Sequence, residues 1–328
     1  MKNLLGLLFI LIATTFWSCE NEVNINSDFE EVTVIYGLLD QNADTQFVKV
    51  NKTFLDDDKN AVDLASDPNR LFYDSLTVSL IEESSGSEFF LSPMEATKEP
   101  GTFTTEKNTI YFTEENISPN ESYSIKVEKP DESISTGKTT TVDTVIVEKP
   151  FFGIAVPFVD RNGSIDRYTF EFSTGNNVAA FEVIMFFKFT EIIGNDSIQR
   201  KVRVPLTKFT NSSIEPFVKF AINFDGLKFF QAIENQVPAA TNPTKKVIFP
   251  RDNFDIEIFA ADEDYNFYRE LNGPIDGLLQ TRPEFTNISN GYGLFASRLS
   301  MVYNSRINDN TRIYLVNQYK DTRNFSYP

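Results

Sequence analysis

The sequence contains no histidine, one cysteine and one tryptophan in 328 residues. Without histidine, a Ser-His-Asp triad, a Cys-His pair and a histidine-ligated metal site are impossible. An enzyme would have to use carboxylate, lysine or tyrosine groups, and no pair of acids is marked by its spacing as a glycosidase pair. The composition predicts a protein without catalytic activity, with no metal and no cofactor. A carboxylate-based hydrolase is the enzymatic alternative.

Basic residues are also scarce. The formal net charge is −17, and Lys2 is the only charged residue before Cys19, so the chain from Cys19 onward has 29 basic and 47 acidic side chains. Such a surface repels nucleic acid and anionic lipid headgroups. We therefore expect no nucleic-acid partner and no attachment to a membrane through a basic patch.

Phenylalanine, in contrast, is abundant. The chain has 32 phenylalanines, whereas its single tryptophan is Trp17. Phenylalanine buries a large apolar area without needing a hydrogen-bond partner, so the surplus predicts a wide core between sheets. The scarcity of tryptophan weakens a glycan-binding interpretation, which would then depend on tyrosine platforms.

The first 18 residues have the pattern of a secretion signal. Lys2 is followed by an apolar stretch over residues 4–13, which is too short to span a bilayer. Ser18 directly precedes Cys19, and this pair resembles the bacterial lipobox, in which the thiol is acylated after cleavage. We predict a lipoprotein signal peptide over residues 1–18 and an acylated tether over 19–30. The alternative is an ordinary secretory signal with an incidental cysteine.

A short acidic run follows the cysteine. Glu20, Asn21 and Glu22 resemble the surface-export signal of lipoproteins in the Bacteroidota. The alternative is that these residues have no role at a mobile terminus. We expect an outer-membrane lipoprotein held by its lipid anchor, with the cell surface favoured over the periplasmic face.

Residues 31–148 are predicted to form an immunoglobulin-like β-sandwich. Short apolar runs alternate with turn-forming clusters, and Tyr123, Ile125 and Val127 alternate with polar residues, which is the period of a strand with one buried face. The other predicted strands of this half are residues 32–39, 47–50, 76–81 and 110–112. Threonines and prolines after Lys129 place a domain boundary near Pro150.

Residues 149–328 are predicted to form a larger β-sandwich with short helical insertions. The run 179–193 is apolar at alternate positions on both faces, which is typical of a strand in the middle of a layered structure. Residues 225–236 and 263–271 have helical spacing. The remaining predicted strands are Tyr168 to Phe172 and residues 256–260, 294–303 and 313–316.

Three groups of acidic residues could be taken for cation sites, and for each a structural interpretation is favoured. Residues 160–166 have oxygen-bearing side chains at alternate positions, but Gly163 is misplaced for a calcium loop, and an Asn-Gly turn explains the pattern. Asp262, Asp264 and Asn266 indicate a helix start. The run 56–58 of three aspartates indicates a solvated loop.

Several segments together resemble a known family. The residues are Val34 to Leu39, Lys98 to Gly101, and Asn290 to Phe295. They are similar to those of Bacteroidota lipoproteins in domain-of-unknown-function family 4249. The resemblance implies an outer-membrane lipoprotein with an immunoglobulin-like first domain that works beside TonB-dependent receptors, and it implies no catalytic residues. Gly291 and Gly293 around Tyr292 favour a turn into a strand where two backbones approach closely.

Three sites resemble the Asp-Ser/Thr-aliphatic pattern that Bacteroidota O-glycosylate. They centre on Ser75, Thr144 and Ser197. Chance matches are expected in a chain rich in aspartate, serine and threonine, and glycosylation at these positions is therefore a hypothesis.

The leading functional prediction is a lipid-anchored, non-catalytic binding subunit of a TonB-dependent transport or export system. It depends on the anchor, the missing catalytic residue types and the sandwich-like halves, whose loops present binding surfaces. The alternative is a surface glycan-binding or adhesin module, which predicts exposed coplanar aromatic rings on one sheet face.

Overall fold

A computed structural model describes residues 31–54, 60–210, 215–239, 244–273 and 284–328. The protein is mainly β with several sheets, as predicted. In the described part of the chain, no helix combines the length and apolar character needed to cross a membrane.

Among the described residues, nine strands lie before residue 150 and nine after it. The first nine are β1 (Thr33–Asp40), β2 (Gln46–Lys52), β3 (Thr77–Glu82), β4 (Ser87–Phe90), β5 (Ser92–Glu95), β6 (Thr109–Thr113), β7 (Ser122–Glu128), β8 (Ile134–Thr140) and β9 (Val145–Lys149). The second nine are β10 (Arg167–Thr174), β11 (Ala180–Ile193), β12 (Asp196–Thr210), β13 (Lys219–Asp225), β14 (Lys245–Val247), β15 (Phe254–Ala261), β16 (Ile288–Ser289), β17 (Gly291–Ser305) and β18 (Phe325–Ser326). Each predicted strand except 313–316 overlaps one of them.

The described helices are α1 (Ala61–Ala65), α2 (Pro68–Leu71), α3 (Gly226–Gln236), α4 (Glu263–Asn272) and α5 (Asp309–Arg323). Helices α3 and α4 confirm the predictions for 225–236 and 263–271. The predicted strand 313–316 is wrong, because this segment lies inside α5. Its apolar, β-branched residues favour a strand locally, but Asn308 caps the helix by accepting a hydrogen bond from the Thr311 N–H, and residues buried at helical spacing pack one face of α5 on the core.

A long sheet runs through both halves of the molecule. Its central strands follow the order β11-β15-β17-β1-β2-β6-β5, and β12 pairs with the other edge of β11. A five-stranded sheet, β16-β8-β7-β3-β4, faces one half of the long sheet. A three-stranded sheet, β13-β10-β9, belongs with α3 and α5 to the other half. The immunoglobulin-like arrangement of the first half stays a prediction.

Two separate hydrophobic cores result. The first core lies between the five-stranded sheet and the β1-β2-β6 region, and its members include Ile35, Val78, Ile125 and Phe295. The second core surrounds β10, β11, β15, α3 and α5. It contains most of the buried phenylalanines. Those in the second core are Phe158, Phe170, Phe172, Phe181, Phe187, Phe189, Phe224, Phe229, Phe230, Phe254 and Phe325. The expectation that phenylalanine fills a wide core therefore holds for the second half of the chain.

The two halves are joined by parallel pairing of β1 with β17. Gly293 has φ +115°, and a Cβ atom there would lie 2.0 Å from the Ile35 carbonyl oxygen. At Gly291 a Cβ atom would lie 2.7 Å from the Thr33 carbonyl oxygen. The predicted close backbone approach at these glycines is thus confirmed. The division into 31–148 and 149–328 stays a prediction, because β17 contributes Phe295 to the first core and Leu299 to the second.

Strand β11 is apolar on both faces, and its two faces have different surroundings. One face packs in the second core. On the opposite face Ile184 is buried beside Pro205 of β12, and Phe186 is half-buried beside Arg203. There Lys201 lies 5.2 Å above the Phe186 ring. The apolar stem of Lys201 covers part of this face.

Candidate functional site

A surface of exposed apolar and basic side chains lies where β15 begins and β17 ends. We call it the distal surface and define it by six residues, Phe151, Phe152, Ile154, Phe249, Arg251 and Arg306. The Phe152 side chain is 88% exposed and that of Phe151 is 67% exposed. Two adjacent phenylalanines in water are unfavourable unless another surface covers them, and a cluster of this kind marks an interaction site more often than a single exposed apolar residue does.

The apolar turn of the distal surface has a fixed backbone. The Ile154 N–H donates to the Phe151 carbonyl oxygen at 2.9 Å, and Gly153 supplies the left-handed conformation with φ +79°. The Tyr303 hydroxyl donates to the Pro150 carbonyl oxygen at 2.9 Å, which ties the base of the turn to β17. The side chains are therefore exposed on a turn whose backbone is held in place.

Asn253 connects the two segments that carry the rest of the distal surface. It is 1% exposed, its side-chain oxygen accepts from the Ile307 N–H at 2.9 Å, and its amide donates to the Phe249 carbonyl oxygen at 2.6 Å. The Val156 N–H also donates to the Arg306 carbonyl oxygen at 2.8 Å. A buried amide needs hydrogen-bond partners, and the Asn253 side chain finds them in the Ile307 N–H and the Phe249 carbonyl oxygen. Asn253 is therefore a positioning residue for the surface.

Two adjoining clefts open on the distal surface. The first, of about 290 Å³, is lined by Phe152, Gly153, Ile154, Arg251, Asp252, Asn304, Ser305 and Arg306. The second, of about 390 Å³, shares Arg251 and Asp252 and contains Phe249. Nearby Lys188 binds Asp255 at 2.7 Å, but within the described residues no carboxylate forms an ion pair with Arg251 or Arg306. Two guanidinium groups are thus available to an acidic ligand.

A second polar region, which we call the seam, lies where the two halves meet. Asp262 is its centre and is 6% exposed. Its Oδ2 accepts from the Thr139 hydroxyl and from the Ser297 N–H, both at 2.7 Å, and its Oδ1 accepts from the Tyr265 N–H at 2.9 Å. The Ser297 hydroxyl in turn accepts from the Val142 N–H at 3.0 Å. One carboxylate therefore caps α4 and links β8 to β17.

Burial raises the pKa of Asp262 to about 6, while the hydrogen bonds from Tyr265, Thr139 and Ser297 lower this pKa in part. A charged carboxylate loses its hydration when buried, and three donors compensate only in part.

An acidic cleft of about 340 Å³ borders the seam. It is lined by Thr139, Thr140, Asn177, Val178, Ala179, Asp262, Glu263 and Asp264. Both oxygens of Asp262 already accept hydrogen bonds from the protein, and Asp264 accepts from the Asn287 amide at 2.7 Å. These carboxylates act as structural acceptors, which is a poor starting point for a glycosidase acid and base.

Only some of the predicted site residues lie within the described part of the chain. Cys19, Glu20, Asn21, Glu22 and the aspartates of 56–58 lie outside the described residues. Ser75, Thr144 and Ser197 are all exposed, and they lie before β3, before β9 and in β12, respectively. The structure does not bring the three together on one element, and glycosylation there stays a prediction.

Two predictions about acidic residues are confirmed. Residues 160–166 form a turn in which the Asp160 carboxylate accepts from the backbone N–H groups of Asn162 and Ser164, and Gly163 has φ +82°. Asp262 is the N-cap of α4. Both carboxylates thus bind backbone donors of their own segments.

The distal surface was not predicted from the sequence. Apolar residues are expected in cores, and the sequence predicts only a domain boundary near Pro150. The available signal was the placement of Phe151 and Phe152 between a proline and a glycine, because side chains in such turns point to solvent.

The sequence matches no protein-family model and no curated protein. Among solved structures, the C-terminal globular domain of an oligosaccharyltransferase from Pyrococcus abyssi is similar, with 9% identity and a TM-score of 0.24. The match covers 66% of this chain and 45% of that chain. This chain therefore spans less than half the length of that structure.

Proposed function

We propose that this protein is a lipid-anchored outer-membrane lipoprotein that works by binding, as an accessory subunit of a TonB-dependent transport or export system. Acyl chains on Cys19 supply the anchor, because several chains on one residue hold a protein stably on a membrane. Glu20, Asn21 and Glu22 favour display at the cell surface over the periplasmic face.

The observation that carries the binding role is the distal surface. Its turn and its neighbouring loop are fixed by hydrogen bonds, yet Phe151 and Phe152 remain exposed and two arginines lack acidic partners among the described residues. A fixed apolar patch with unpaired charges at its rim has the composition of a protein interface. At the seam, in contrast, both carboxylate oxygens of Asp262 accept hydrogen bonds within the protein.

The anchor is tested by the intact mass of protein purified from the organism's own membranes. We expect a chain that begins at Cys19 and carries lipid, and we expect the Cys19→Ala variant to be absent from the outer-membrane fraction. An unmodified thiol on a soluble chain would contradict the proposal.

The partner is tested by purifying the tagged lipoprotein in a mild detergent. We expect a TonB-dependent outer-membrane receptor to co-purify in a constant ratio with the wild-type chain and not with the Cys19→Ala variant. Recovery of the lipoprotein alone, with its lipid intact, would remove the accessory role and leave the anchor standing.

A glycan-binding or adhesin module is the second candidate. Tyr36 and Tyr292, which are 44% and 48% exposed, lie on the same face of the adjacent strands β1 and β17. The Tyr36 ring meets the Tyr268 ring edge-on, with an interplanar angle of 68°. Tyr36 and Tyr268 therefore form no flat platform. Titration against a panel of polysaccharides tests this candidate, and binding that is lost in Tyr36→Ala would favour it over the accessory role.

A further inference from the structure

We infer that the distal surface docks an acidic, apolar segment of a partner protein. The segment places large apolar side chains against Phe151, Phe152 and Ile154, and its carboxylates bind Arg251 and Arg306. The inference deepens the proposed binding role, and it rests on that proposal for the choice of a protein over a lipid surface.

The shape of the surface favours a specific contact. The exposed rings extend from a turn held by Tyr303, and the cleft beside them has a volume of about 290 Å³. A pocket of this size can take one or two side chains of a partner segment, and covering the three apolar side chains of the turn supplies binding free energy without a large cost in ordering the backbone.

The charge of the surface indicates an acidic partner. The chain has 47 acidic and 30 basic residues, yet the first cleft is lined by two arginines and one acid, Asp252. Arginine binds a carboxylate through paired N–H donors and can remain near apolar side chains because it is weakly hydrated. An acidic segment would approach this end and be repelled by most of the remaining surface.

The position of the surface favours a protein over the anchoring membrane. Thr33 pairs with Gly291 at the start of β17, whereas Arg306 follows the end of that strand. At about 3.3 Å per residue, the fifteen residues of β17 separate these points by about 50 Å. The 14 residues that follow Cys19, up to and including Thr33, reach at most about 50 Å when fully extended. If the long sheet stands upright on the anchoring membrane, the whole tether would have to be stretched along the sheet to bring the distal surface to that membrane.

The experiment is site-specific photo-crosslinking in the organism that encodes the protein. The photo-reactive amino acid p-benzoylphenylalanine replaces Phe152 in the full chain, and in a matched control it replaces Phe90, which is 65% exposed on β4. Cross-linked adducts are purified and the joined peptides are identified by mass spectrometry.

We expect a protein adduct from position 152 that is absent from position 90, and we expect the joined segment to contain aspartate or glutamate next to large apolar residues. In the R251E/R306E background the adduct yield should fall by about tenfold or more, whereas R251K/R306K, which keeps both charges but loses the paired N–H donors, should lower it less. Unchanged thermal unfolding of both double variants shows that the fold is intact, since both arginines are exposed.

Three outcomes would overturn the inference. They are an adduct with phospholipid at position 152, a segment without acidic residues, and the absence of any adduct specific to position 152. The same samples separate this result from the anchor, because the mass of Cys19 reports lipidation directly. A lipidated chain without a specific adduct contradicts only the docking surface, and an adduct on an unlipidated chain contradicts only the anchor.

Discussion

The two cores of this protein differ in what fills them. The first core is made mainly of aliphatic side chains and tyrosine between two sheets, and Phe295 is its one fully buried phenylalanine among the described residues. The second core packs helices α3 and α5 as well as strands on the long sheet, and phenylalanine dominates it. Phe158 and Phe229 stack with ring centroids 4.5 Å apart.

The difference shows what large aromatic residues do here. Two sheets approach each other closely enough for aliphatic side chains to fill the space, whereas a helix, a short sheet and a loop packed on one sheet leave irregular spaces that large flat rings fill. The phenylalanine surplus is thus a property of the second half. At the distal surface, phenylalanine side chains are exposed to solvent. Buried phenylalanines therefore pack the core, whereas the exposed ones are available for binding.

The largest expected effect is the loss of a ring from the second core. Phe229 is fully buried and contacts Phe158, Phe187 and Phe254, so Phe229→Ala should lower the free energy of unfolding by about 4 kcal/mol through lost transfer energy and a cavity. Phe152→Ala is the matched control and should change it by less than about 0.5 kcal/mol, since Phe152 is 88% exposed. Equal losses in a denaturant titration would contradict this division between buried and exposed phenylalanines.

The connection between the two cores is the next test. Gly293→Ala should cost about 3 kcal/mol or more, because the new Cβ atom would meet the Ile35 carbonyl oxygen and φ +115° suits only glycine. Since β1 would be displaced from β17, we expect the first core to unfold at a lower temperature than the second, visible as two calorimetric transitions.

Gly86→Ala is the control for that variant. Gly86 also has a positive φ, but an added Cβ atom there would have no neighbour within 4 Å. A single transition in Gly293→Ala, shifted no further than in Gly86→Ala, would show that the β1–β17 contact does not hold the cores together.

The fold and the site were predictable to different degrees. Strands such as β7 follow from local alternation, and α4 follows from helical spacing that begins at Asp262 and stops near Gly273. Helix α5 was missed because the strand preference of 313–316 is local, whereas the packing that overrides it comes from residues such as Phe158, whose backbone N–H donates to the Thr311 hydroxyl at 3.0 Å.

Long-range pairings were also out of reach. Thr33 lies beside Gly291 and Thr139 beside Asp262, and neither partner is indicated by the residues around it. The sequence carries a local signal for the apolar turn of the distal surface, but the joining of that turn with the two arginines could not be predicted, for the same reason. Its two arginines and its apolar turn come from separate segments that only the end of the long sheet brings together.

The seam predicts a pH dependence. Asp262 has a pKa of about 6 in the folded protein and a value near 3.8 when unfolded, so the folded state binds its proton more tightly. The stabilisation by protonation is complete below about pH 4 and is lost as the pH rises through about 6. Relative to Asp262→Asn, the wild-type protein should gain about 2 kcal/mol of unfolding free energy between pH 7 and pH 4.

Urea titrations at several pH values measure this difference, and the subtraction removes the contribution of the other carboxylates. Thr139→Val supplies a second check, because it removes one donor to Asp262 and should raise the pKa of that carboxylate further. Parallel pH profiles for the wild type and Asp262→Asn would show that the buried carboxylate does not titrate in this range.

The smallest expected effect concerns the distal surface and completes the comparison. R251E/R306E should leave the free energy of unfolding within about 0.5 kcal/mol of the wild-type value, because both side chains are exposed and form no ion pair within the described residues. Asn253→Ala should instead cost about 2 kcal/mol, since it leaves the buried Ile307 N–H without its acceptor. A similar loss in both variants under thermal unfolding would mean that the arginines support the fold, and the surface would then no longer be free to bind.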